Sequence, residues 1–141
     1  GGNKDHGQEL IDKFLHNIPA LKRVRAGVQR AAKRGLIRGV DGRNLHIRSP
    51  HSALNTLIQG AGASICKDWL INMVHRISQK GIDARLVASI HDEYQFEVAR
   101  KDVPQFGVIT RDAIKDTERR LRFKCPLDST WKQGVTWTAT H

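Results

Sequence analysis

The sequence predicts an α+β fold, an antiparallel sheet with helices packed on one side, and three observations carry that prediction. Apolar residues recur every three or four positions in three long stretches. Between them lie two shorter stretches with the strand-forming residues and turn signals of β-hairpins. The resulting order is helix, hairpin, long helix, hairpin, helix and terminal strand. At 141 residues, 39% hydrophobic and 27% charged, the chain is one domain's worth and long enough for a real core.

Residues 1–35 form the leading helical segment: Leu10, Phe14, Leu15, Ile18, Leu21 and Val28 keep helical spacing, and Pro19 breaks or kinks the run. Residues 36–48 form a hairpin, signalled by Asp41-Gly42 between short alternating runs. Residues 50–80 are the long helix, with Ser49 placed to cap it and Pro50 at its first position. Its stripe of Leu54, Leu57, Ile58, Ala61, Ile65, Trp69, Met73 and Ile77 is a core face, and Gly81 ends it.

Residues 84–98 contain "LVASIHDEYQFEV". As one straight strand this run would put Asp92 on the apolar face of Leu86, Ala88, Ile90, Tyr94, Phe96 and Val98, an expensive place for an unpaired carboxylate. A turn at His91-Asp92 avoids that cost, although the dipeptide lacks the glycine that tight hairpins favour. A broken local rule of this kind points to function. Residues 103–141 complete the chain with a helix to about residue 121 and a terminal strand in "RFKCPLDSTWKQGVTWTATH".

The formal charge is +10. Between Lys22 and Arg48 nine basic residues, among them Arg30, Lys33, Arg34 and Arg43, face the single acid Asp41. Such a stripe favours a polyanion, most simply a nucleic-acid backbone. On the long helix His51, Asn55 and Gln59 follow four apart as a polar ridge able to hydrogen-bond base edges and sugars. His91-Asp92-Glu93 offers hard oxygen donors suited to Mg²⁺. Cys66 and Cys125 have no zinc or disulfide spacing and read as reduced thiols of a cytoplasmic protein. No apolar run approaches the ~20 residues of a membrane span, and no signal peptide opens the chain.

Taken together, "GVDGRNLHIRSPHSALNTLIQGAGASICKDWL", "SIHDEYQFEV" and a closing "W…H" closely resemble the C-terminal palm region of family A DNA polymerases, nearest to the replicative polymerases of short-tailed phages. The resemblance implies that Asp92 is the second catalytic aspartate, a ligand of two Mg²⁺ ions, and that Glu93 supports the metal site. It places His91 next to the primer end and His51, Asn55 and Gln59 on the helix that contacts template and primer from the minor groove. Arg43 matches the preceding hairpin and His141 the terminal histidine near the active site. Primer-template DNA, and in the complete enzyme deoxynucleoside triphosphates, are the implied partners, with no membrane and a bacterial host cytoplasm as the setting.

The sequence departs from the family pattern in two places. The motif of the Asp-Tyr-Ser type that holds the other catalytic aspartate is absent, and so is the nucleotide-binding fingers helix. The expectation is therefore a polymerase fragment, inactive alone, which a second polymerase chain could complement. Two other readings fit the residues themselves: a duplex-DNA-binding module without chemistry, and a His-Asp metal phosphohydrolase.

Overall fold

In the computed structural model of the chain, described over residues 4–140, the leading segment is two helices, α1 (Lys4–Asn17) and α2 (Pro19–Ala32). β1 (Leu36–Arg38) and β2 (Asn44–His46) follow, then a 3₁₀ turn at Pro50–Ser52 and the long helix α3 (Ala53–Lys80). β3 (Ala84–Ile90), β4 (Glu93–Val98), a 3₁₀ turn at Arg100–Asp102, α4 (Val103–Leu121) and a last 3₁₀ turn at Trp137–Ala139 complete the chain. The α+β class holds. Its strands, however, form two separate two-stranded antiparallel sheets, β1–β2 and β3–β4, rather than one, because each pair is closed locally by its own turn.

The sequence predicts one domain; by internal packing the chain divides into two compact units, residues 1–60 and 61–141, with the division inside α3. Each unit has its own core. In the first, Pro19 sits at the opening position of α2, where its missing N–H is no loss. Val28 and Ala32 of α2 pack with Ile37 of β1 and Ala53 of α3, and Ile47, Leu54 and Leu57 close over them. A Cβ on Gly60 would lie 2.9 Å from Leu45 Cδ1, so a glycine is what lets β2 approach the helix. Leu10 and Phe14 are more than half exposed along α1. Ile58 is likewise exposed, at 57%.

In the second unit Met73 and Ile77 of α3, Ile82, and Ile109 and Ala113 of α4 form the core, with Trp69, Leu70, Tyr94, Phe96 and Phe106 packed against it. Polar groups also tie α3 to α4. Arg76 bonds Asp116 (2.6 Å) and Asp112 (3.2 Å), and Arg120 bonds the buried Asp68 (2.5 Å). Asn72 donates to Thr117 (3.0 Å). The hydrogen bond from Arg76 is the main reason the Asp116 carboxyl lies below its usual range.

The expected terminal strand is corrected. Residues 122–136 are neither helix nor strand; the backbone at Phe123 and Leu127 finds partners on α4 instead of a ladder. Arg122 turns left-handed (φ +55) and Phe123 N–H closes on Glu118 O at 3.0 Å, ending the helix. Leu127 N–H donates to the Glu118 carboxylate at 2.7 Å, and Lys115 Nζ donates to Leu127 O. Trp131 lies so close over Gly107 that a Cβ there would overlap its indole.

Candidate functional site

Strand register creates the tip of the second hairpin. β3 and β4 pair as Ala84↔Val98, Arg85↔Glu97 and Leu86↔Phe96, then shift to Ala88↔Gln95, Ser89↔Tyr94 and Ile90↔Glu93. Continued without the shift, the first register would oppose Ile90 to Asp92 and leave His91 alone to reverse the chain. The bulge at Val87 adds one residue to β3, so that a two-residue turn, His91-Asp92, becomes possible. Only one of its residues carries the burden of reversal. His91 has φ +53, in the left-handed region that costs a side-chain-bearing residue about 1–2 kcal/mol.

What holds that strain is packing. Tyr94 and Phe96 share one face of β4, where their rings meet Trp69 (centroids 5.2 Å apart, 60° tilt) and Phe106 (5.0 Å, 56°). Trp69 in turn donates to Thr110 O at 2.9 Å. Glu93 and Gln95 share the opposite face, and the Gln95 amide donates to the Glu93 carboxylate. His91 and Asp92 are exposed, and Glu93 is half-buried.

Cys66 of α3 lies within electrostatic reach of Asp92. Its thiol is pushed up first by burial and then by the charge of Asp92, and Tyr94 is pushed up by burial and then by Cys66. A helix thus backs the hairpin within reach of the Asp92 field. Among the described residues no group of three or more His, Cys, Asp or Glu side chains gathers closely enough to hold a metal ion. The tip offers one exposed carboxylate and a half-buried neighbour. That set fits one edge of a Mg²⁺ site, since the ion takes one or two protein carboxylates and completes its shell with water and phosphate oxygens.

In the first unit His51 in the 3₁₀ turn and Asn55 and Gln59 at the start of α3 are all exposed, as are Arg30 in the last turn of α2 and Lys33 and Arg34 just after it. Ser49 Oγ accepts from His51 N–H at 3.3 Å and so caps the 3₁₀ turn that leads into the helix. Arg43 is engaged within the chain, its Nε donating to Asp41 Oδ2 at 2.6 Å. His141 lies outside the described residues.

Comparison with known proteins gives the constellation a context. A family profile described as DNA polymerase family A matches residues 2–139. The chain belongs to DNA polymerase family A. It is 36% identical to the DNA-directed DNA polymerase of Escherichia phage T7 and 35% identical to that of Enterobacteria phage T3, in each case over all of this chain and 23% of the relative. Bacillus subtilis DNA polymerase I is 28% identical over 91% of this chain and 16% of its own length. Among solved structures, the POL domain of Pol1 from M. smegmatis in complex with DNA primer-template and dNTP superposes with a TM-score of 0.73 over 82% of this chain and 23% of that one, at 23% identity. The family A polymerase chain described here thus spans under a quarter of the length of its phage relatives.

Sequence reasoning missed three neighbours of the tip: Cys66, Gln95 and Thr140. Gln95 was within reach of inference, because it lies two residues from Glu93 on a strand and must share its face. Cys66 and Thr140, whose hydroxyl lies 3.5 Å from Gln95 Oε1, come from distant parts of the chain and leave no local signal.

Proposed function

We propose that this chain supplies the DNA-facing, C-terminal palm part of a polymerase active centre that carries out template-directed nucleotidyl transfer in DNA replication, with Asp92 as one of its metal-holding carboxylates. The observation that carries the reading is the strained tip, where a bulge, a left-handed His91 and two ring contacts hold an exposed aspartate in place. Strain retained at such cost is a pointer to function. The T7 and T3 relatives are named DNA-directed DNA polymerases, and the M. smegmatis neighbour is titled with primer-template and dNTP. Both support the same assignment of partners here.

In this reading Mg²⁺ bound at Asp92 would neutralise charge on the transferring phosphate and activate the primer hydroxyl. Asp92 holds the ion through its exposed carboxylate, Glu93 supports it, and His91 lies beside the primer end. His51, Asn55 and Gln59 contact the duplex from the minor groove. Arg30, Lys33 and Arg34 attract its phosphates, Arg43 belongs to the hairpin before that helix, and His141 corresponds to the family's terminal histidine. The second metal-holding carboxylate and the nucleotide-binding helix come from outside these residues, in the same or a complementing polymerase chain. The setting is a bacterial host cytoplasm, with phage or prophage origin.

The test is reconstitution with the upstream portion of a T7-like polymerase, in trans or by fusion. Mg²⁺-dependent primer extension should appear, be absent from the isolated chain, vanish in Asp92→Asn and be reduced less in Glu93→Gln. Normal extension with Asn at position 92 would overturn the reading. A second reading, a duplex-binding module without chemistry, is favoured by the basic run from Lys22 to Arg48. Under it, duplex affinity would fall steeply with salt and charge reversal at Arg30, Lys33 and Arg34 would flatten that dependence, yet no partner would restore extension.

A further inference from the structure

The two sides of α1 differ in kind. One carries Glu9, Asp12, Lys13 and His16, laced by Lys13 to Glu9 at 2.8 Å and by Gln8 to Asp12 at 2.9 Å. The other carries Gly7, Leu10, Ile11 and Phe14, which helical geometry brings within about 100° of one another around the axis. Ile18 follows them at the break before α2. Leu10, Ile11, Phe14 and Ile18 are 54%, 43%, 55% and 41% exposed, and a Cβ on Gly7 would meet nothing within 4 Å. Among the described residues, the core of this unit draws on α2, β1, Ile47 and α3. The apolar side of α1 is thus a ridge in water, although helices in proteins owe most of their stability to burying such a face. A row of large apolar side chains backed by a charged face is the form of helix that lies in an apolar groove.

Charge and length decide between the partners that such a ridge could meet. A lipid surface calls for Lys and Arg along the polar face, whereas that face of α1 carries Glu9 and Asp12 beside Lys13. A second copy would bring together two segments, residues 1–60 of each chain, that hold eleven Lys and Arg against four Asp and Glu, and like charges oppose that pairing. A polymerase body suits it better. The whole of this chain matches only 23% of the T7 and T3 relatives, so family members hold a large mass of protein beside the matching region. We propose that the α1 ridge is the docking surface for the part of the polymerase outside these residues, which receives it in an apolar groove. This rests on the reading of the chain as part of a polymerase active centre, and it specifies how the complementing part is held. The contact is apolar burial, so it depends little on salt, in contrast to phosphate contacts made by the basic run.

The test mixes the full chain with the upstream portion of a T7-like polymerase, without DNA, and follows them by calorimetry and amide hydrogen exchange. A one-to-one complex should form, with an affinity nearly constant from low to high salt. Leu10→Glu combined with Phe14→Glu should weaken it at least about tenfold, and Asp12→Asn on the charged face should leave it unchanged. In the wild-type complex the amides of residues 8–18 should gain protection, a readout that stands even where the double variant unfolds α1. A complex indifferent to the double variant, unprotected α1 amides, or no complex at all would overturn the proposal. So would sedimentation of the chain alone as a dimer that the double variant dissolves. A fusion of the two portions separates this surface from the functional reading. Primer extension by the fusion without protection at α1 removes the docking surface alone, and protection at α1 without extension removes the functional reading alone.

Discussion

In the first hairpin the chain reverses between Arg38 and Asn44 with chemistry contained in the loop itself. Gly42 takes φ +83, and the Asp41 carboxylate accepts from Arg43 N–H at 3.1 Å and Arg43 Nε at 2.6 Å. Gly39 N–H bonds Arg43 O at 2.8 Å. In the second hairpin the left-handed residue is a histidine, the register is repaired by a bulge, and the anchors are rings 25 residues before Tyr94 and 10 after Phe96, at Trp69 and Phe106. The difference shows two ways to stabilise a reversal. Where the loop satisfies itself, its residues are committed to the turn. Where distant packing imposes the reversal, the turn can be made by residues that do not favour it, and His91 and Asp92 can be chosen for chemistry.

The largest effect should separate the two directly. Phe96→Ala removes a ring that anchors the second hairpin and should cost about 3 kcal/mol of unfolding free energy in urea titration. Leu36→Ala on the first hairpin, at 39% exposure, should cost under about 1 kcal/mol. Equal costs would mean that packing holds both turns alike.

Glycine exchange sharpens the same contrast with opposite signs. Gly42→Ala forces a Cβ into φ +83 and should destabilise by about 1 kcal/mol, whereas His91→Gly relieves φ +53 and should stabilise by up to about 1 kcal/mol. Thermal melts of the two variants moving in the same direction would refute the strain argument at the tip.

The smallest effect reads the charge that the second hairpin presents. Asp92 raises the Cys66 pKa, though less than burial does, and only the thiolate reacts with iodoacetamide. In a Cys125→Ser background, Asp92→Asn should therefore lower the Cys66 pKa and speed its alkylation at mildly alkaline pH, by less than the tenfold that one pKa unit represents. Mg²⁺ should speed the reaction in the parent chain but not in the variant. An unchanged rate in Asp92→Asn would remove Cys66 from the influence of the tip.

Local chemistry made much of this legible in advance. Pro19 marks the break between α1 and α2, Gly81 at φ +62 ends α3, and Ser49 caps the turn before it. Each acts through its own backbone or its nearest neighbours, so the residue type suffices to read it. The same holds for the order of the hairpins and for the polar positions Asn55 and Gln59, whose shared exposed face on α3 follows from helical spacing.

Other features depend on groups far apart in the chain, and no local pattern encodes those. The apolar periodicity of α1 is plain, yet Leu10 and Phe14 stand exposed, because periodicity names a face without naming its partner. The closing segment has strand-forming residues, but Glu118 and Lys115 bind the backbone at Leu127 and no ladder forms. At the candidate site, the pair His91-Asp92 and the need for a turn were written in the residue types. That the turn closes as a two-residue reversal depended on one extra residue at Val87 and on rings from two helices. That Glu93 lies half-buried along β4 beside Gln95, while Asp92 stands exposed, depended on the packing of β4 against α3. Tertiary structure decided these because register, burial and charge proximity are properties of pairs of residues, and the chain assigns those pairs only when it folds.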